Sequence, residues 1–76
     1  MPNYGLRCKI DDVTHVLVST SQHKIEIRNT VTGATSWIKP YGIEFEIYES
    51  NLGMNGALGS MKSVKHNLEQ RKERKT

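Results

Sequence analysis

Two runs in the middle of the chain constrain its fold more than any other feature. Residues 23–28 (His-Lys-Ile-Glu-Ile-Arg) and 43–48 (Ile-Glu-Phe-Glu-Ile-Tyr) each place an apolar residue at every second position. Successive side chains of a strand point to opposite faces, so this period predicts strands with one buried face. Between the runs lie Thr32-Gly33, the single tryptophan Trp37, and Pro40-Tyr41-Gly42. Glycine accepts the positive φ of a tight hairpin turn, and proline lacks the N–H that would prolong a ladder.

The same period continues upstream. Tyr4, Leu6, Cys8 and Ile10 alternate with Gly5, Arg7 and Lys9, which predicts a first strand ended by an Asp11-Asp12 turn. Residues 13–19 predict a second strand whose inward face is open, because Val16 and Val18 compete with Val13, His15 and Leu17. Ile25 and Ile27 point inward on the third strand, 35–39 form a short fourth strand around Trp37, and 43–48 form the fifth. Connections this short exclude parallel crossovers and predict an antiparallel meander. Such a sheet can curl and close as an SH3-like or OB-like barrel. In the closed form Arg7 and Lys9 would neighbour Glu44 and Glu46, opposite charges worth about 0.2–1 kcal/mol per cross-strand pair.

Residues 51–60 hold Gly53, Gly56 and Gly59 and predict a flexible connection. Ser60 is placed to cap a helix, and 61–75 contain neither Gly nor Pro. Leu58, Met61, Val64 and Leu68 fall at spacings of three and four, an apolar stripe that suits the sheet, a partner or a second copy of the chain. The expected fold is therefore α+β: a curled five-stranded antiparallel meander (1–50), a Gly-rich connection (51–60), and one basic C-terminal helix and tail (61–76), in a single domain.

Charge is unevenly distributed. Residues 1–61 carry five Lys and Arg against six Asp and Glu, a net of −1, whereas 62–76 carry six against two, a net of +4. Lys62, Lys65, Arg71, Lys72, Arg74 and Lys75 are the candidate contacts to nucleic-acid phosphates, where Lys and Arg release condensed counterions.

Other chemistries find little support. A chain of 76 residues with 36% hydrophobic content has a small core, since domains this short bury only about 60% of their unfolded surface; a deep substrate cleft is not expected, nor is an enzyme. Cys8, His15, His23 and His66 lack the tight pairs of structural zinc sites, so no metal or cofactor is expected. Gly53, Gly56 and Gly59 match neither the P-loop nor the dinucleotide spacing. One cysteine cannot form an intramolecular disulfide, the start lacks a secretory pattern, and the longest apolar run is Val16-Leu17-Val18. A cytoplasmic protein without membrane contact is expected.

Asn29, Thr32, Thr35, Trp37 and Pro40 reproduce the spacing Asn-x-x-Thr-x-x-Thr-x-Trp-x-x-Pro. In this stretch the chain resembles the C-terminal half of a WW domain, a family whose tryptophan contributes to a proline-binding groove. It departs from the family at Thr30, where a histidine is usual, and at Glu26 and Ile27, where tyrosines stand; the upstream tryptophan is missing. The family's proline-binding function is not carried over to this chain; Trp37 stands as a candidate ligand contact because exposed aromatics often anchor partners. Two functions follow as expectations. The first is a non-enzymatic module that contacts RNA or DNA backbone through the basic helix. The second is a small inhibitor or adaptor, of the kind encoded by phage or mobile elements, that binds a protein through a sheet edge, through Trp37, or through Leu58, Met61, Val64 and Leu68.

Overall fold

A computed structural model describes residues 2–50 and 56–72. It contains five strands, β1 (Tyr4–Ile10), β2 (Val13–Thr20), β3 (Ile25–Asn29), β4 (Thr35–Ile38) and β5 (Glu46–Glu49), followed by one helix, α1 (Leu58–Gln70). All the pairings are antiparallel, in the order β4-β3-β2-β1-β5. The α+β class is as the sequence predicts.

Local chemistry makes the hairpins. Asp11 and Asp12 take φ of 53° and 64°, the doubly left-handed pair of a two-residue hairpin turn, which short carboxylate side chains tolerate better than most. At the β3–β4 turn, Asn29 Oδ1 accepts from the N–H groups of Val31 and Thr32 at 2.8 and 3.0 Å. Gly33 then takes φ +78° and donates to Asn29 O. Asn29 and Thr32, two of the residues that give the chain its likeness to a WW domain, thus act here in turn formation.

The two possible faces of β2 are both used. Arg7 pairs with Val16 and Cys8 with His15, so Val13, His15 and Leu17 share the face of Cys8 and Ile10. The β2–β3 register then shifts between Leu17 and Ser19, where an irregularity sets Ser19 opposite Glu26 and Thr20 opposite Ile25. The extra residue, Val18, is what made the pattern read both ways.

The sheet is open, which corrects the expected curling and closure, although the first and fifth strands meet as the charge pattern predicts. β5 pairs with β1, not with β4, and β4 and β5 form the two edges. Arg7 and Glu46 do meet across β1 and β5, but Glu44 precedes the shortened β5 and does not join the ladder. The chain between β4 and β5 crosses the sheet. Four strand spacings of about 4.8 Å amount to about 19 Å, and the seven residues 39–45 reach at most about 25 Å when extended. That connection carries fully buried Pro40 and buried Phe45 across the apolar face, with Ile43 packed beside them. A short link can thus cross a sheet when it runs nearly straight, a geometry that hydropathy alone does not reveal.

The helix covers the same face. It begins at Leu58, with Ala57 as its cap residue and no side-chain cap bond, so Ser60 lies inside the first turn. It ends at Gln70, short of the expected 75, and residues 51–55 of the expected connection lie outside the described residues. Gly56 exchanges two main-chain bonds of 2.9 Å with Tyr4, which anchors the helix start to β1. Leu68 enters the core with Leu6, Cys8, Ile25, Ile27 and Phe45, and Met61 and Val64 pack against it. Burying a Leu, Ile or Phe side chain is worth about 1.5–3 kcal/mol, so these contacts hold the helix to the sheet. No helix among the described residues is long and apolar enough to cross a membrane.

Candidate nucleic-acid interface

The six predicted phosphate contacts fall into different situations. Lys62 and Lys65 lie in α1, Arg71 and Lys72 follow it, and Arg74 and Lys75 lie outside the described residues. Lys65 Nζ is 2.9 Å from Glu69 Oε1, one turn away. The other oxygen of Glu69 accepts from the Phe45 N–H at 2.9 Å. The Phe45 amide, and next the Lys65 ammonium, hold the Glu69 carboxyl below the usual carboxylate range. Lys65 therefore belongs to the clamp between α1 and the crossover. Lys62 and Lys72 are exposed.

Arg71 has a different role. Its Nη1 donates to Ser21 O at 3.1 Å, joining the end of α1 to the β2–β3 loop, fifty positions away in sequence. Ser21 is itself fixed, because its hydroxyl donates to Lys24 O at 3.0 Å and accepts from Lys24 N–H at 3.1 Å. His23 and Lys24, exposed in that loop, lie two and three residues from the Ser21 carbonyl that Arg71 binds. The loop from Ser21 to Lys24 contains no carboxylate. Sequence reasoning missed Lys24, because only the fold brings its loop to Arg71.

The second group of predicted contacts divides as well. Leu68 is 1% exposed, and Met61 and Val64 face the chain's own core, while Leu58 is exposed. The stripe thus covers the sheet. Trp37 is 48% exposed on edge strand β4. Its register partner is Glu26, while Ile25, Ile27 and Ile38 take the core face. Trp37 accordingly stands on the face that α1 does not cover.

That face also carries an ordered cation. Arg7 makes two bonds to Glu46, Nε–Oε2 at 3.2 Å and Nη2–Oε1 at 3.0 Å, and its guanidinium lies 5.2 Å from the centroid of the Tyr48 ring. The hydrogen-bonded guanidinium holds the Glu46 carboxyl below its ordinary range. Lys9 and Arg28 are exposed.

Where β5 leaves β1, an open cleft of about 740 Å³ remains, lined by Arg7, Lys9, Thr14, Glu44 and Phe45 among others. Its charges are mixed, and Arg7 is already bonded to Glu46. The register places Cys8 directly opposite His15. His15 Nδ1 lies 2.9 Å from the Val13 carbonyl, to which it donates, and burial pushes the Cys8 thiol up. Neither feature gives an activated nucleophile. Among the described residues no group of three or more His, Cys, Asp or Glu is placed to hold a metal ion.

Comparison with protein-family models, with curated proteins and with solved structures gives no match to this chain.

Proposed function

We propose that the protein is a non-enzymatic nucleic-acid-binding module whose phosphate contacts centre on the junction between the β2–β3 loop and the end of α1. The observation that carries this reading is the Arg71–Ser21 bond. It ties the loop that carries Lys24 to Arg71, which Lys72, Arg74 and Lys75 follow in sequence. Lys and Arg gathered in this way release counterions on binding a phosphate backbone, which makes the affinity salt-dependent. Lys65 is left out of the contact set because Glu69 holds it, and Lys62 adds to it from the exposed surface of α1.

The test is a salt titration of binding to duplex DNA, with the intact chain and a Lys72→Ala/Arg74→Ala/Lys75→Ala variant. The variant leaves Leu68 and Glu69 in place, so the helix stays docked. Each lost contact should lower the slope of log K against log salt by about 0.9. An unchanged slope, or binding that persists at about 0.5 M salt, would refute the reading, given the usual salt loss.

One observation favours a second reading, an inhibitor or adaptor that pairs with a protein strand. The β4 edge is exposed and carries no charged residue within the strand. Affinity purification with and without nuclease separates the two readings. A stoichiometric protein retained after nuclease treatment supports the second.

A further inference from the structure

We infer that the uncovered face of the sheet, at the end bearing Trp37, takes single-stranded nucleic acid, with an unpaired base stacked on the Trp37 ring. This rests on the phosphate-contact reading above and names the form of nucleic acid bound. Three observations lead to it. The first is placement. Trp37 pairs with Glu26, Ile38 with Ile25, and Ile25 with Thr20, so Trp37 stands at the end of the sheet from which the Ser21–Lys24 loop projects. The indole and the basic junction therefore belong to one end of the molecule.

The second is the state of the ring. Trp37 is 48% exposed, although an indole is among the most favourable side chains to bury. Tyr48, on the same face, already has the Arg7 guanidinium over its ring. Among the described residues Trp37 has no such contact, and every base offers a π face to an open aromatic ring. A duplex keeps its bases stacked on each other, so a ring on a flat sheet reaches only unpaired ones.

The third is charge. On this face Lys24 leads into the Trp37 end and Arg28 and Arg7 follow along the register, against Glu26 and Glu46, while Lys9 lies at the opposite end beside the Asp11-Asp12 turn. Glu46 is held by Arg7. Glu26, opposite Trp37, lies two residues from both Lys24 and Arg28 along the chain. The surplus is positive and complements a phosphate backbone.

Trp37 is the single tryptophan, so its fluorescence reports on the site directly. The intact chain is titrated with oligothymidine of about 12 nucleotides, within the usual site size of such surfaces, and with a duplex of equal length. The single strand should quench Trp37, and the duplex should not. Binding to a labelled single strand, read by anisotropy, should weaken about 5- to 150-fold in Trp37→Leu, the value of one base stack. Trp37→Phe should retain most of the affinity, and neither variant should alter the salt slope. Because the ring is half exposed, both variants keep the core, which thermal unfolding checks. Unchanged affinity in Trp37→Leu, or quenching by the duplex alone, overturns this inference while leaving the phosphate contacts standing. Absence of binding by either probe at low salt removes both readings. A fluorescence change that follows protein concentration without nucleic acid assigns Trp37 to a second copy of the chain and also overturns the inference.

Discussion

The two edges of the sheet differ in how the chain treats them. At the β5 edge, α1 packs against β1 and β5, Glu69 receives the Phe45 N–H, and Arg7 binds Glu46 across the last ladder. At the β4 edge, β3 is the one strand or helix among the described elements that packs against the strand. Asn29 N–H bonds Ala34 O at 2.8 Å, and alternation along the ladder then turns the main-chain groups of Thr35 and Trp37 away from β3. Bare edges invite pairing with other chains, and natural sheets limit this by keeping such strands short. β4 has four residues, so its shortness is what protects it. Long-range contacts are concentrated on one edge, and the exposed aromatic surface lies on the other.

Truncation at each edge tests the contrast most sharply. Phe45→Ala should cost about 3–5 kcal/mol, because the ring is 5% exposed within the core. Trp37→Ala at the bare edge should cost far less, about 1 kcal/mol, the span of strand propensities, because half of the ring stays in solvent. Urea unfolding of both variants measures the difference, and comparable losses would dissolve the comparison.

Gly42→Ala should have an intermediate effect. Gly42 takes φ +75° in the crossover, and an added Cβ would meet nothing within 4 Å. The cost is then conformational only, about 1–2 kcal/mol, and equilibrium unfolding should show it without loss of the fold.

The smallest expected effect concerns Glu69. Its carboxyl is held below the ordinary range by the Phe45 amide and Lys65. A depressed folded-state pKa contributes stability that is fully present above the unfolded value, about 4.3, and is lost as pH falls through the folded value. Glu69→Gln should therefore cost under about 1 kcal/mol at neutral pH, a value reduced for partial solvent exposure. It should also flatten the acid limb of stability against pH. Glu46 is depressed too, so part of that limb should persist. An unaltered acid limb would show that the clamp does not hold the crossover.

What the sequence disclosed follows the range of the interactions. The β1–β2 and β3–β4 hairpins depend on Asp11, Asp12, Asn29 and Gly33, whose preferences act within a few residues, and they were readable. The apolar positions Leu6, Cys8, Ile25, Ile27 and Phe45 were readable from period two, as was the meeting of Arg7 and Glu46. The pairing of β5 with β1 was readable from the same charges, but the open sheet and the crossing link were not, because they depend on how Pro40 and Ile43 pack on residues far away in the chain. The ambiguity at Val16 and Val18 had a physical source, the register shift within β2. At the candidate site, the tail cations were visible as a charge run. Their link to the loop of Lys24 was not, because a hydrogen bond from Arg71 to a main-chain carbonyl leaves no pattern in composition.

The crossover has a consequence in time as well as in space. The four strands from Tyr4 to Ile38 are joined by adjacent hairpins, which close in microseconds. β5 finds β1 only after a loop of some thirty-eight residues, from Arg7 to Glu46, has been drawn together. Loop closure carries an entropy that grows slowly with length, and contacts distant in sequence slow folding. The helix, anchored by Leu68, depends on that same late assembly. The junction of Arg71 with Ser21 therefore exists only once the whole chain has folded, and the nascent hairpins present Lys24 without its partners.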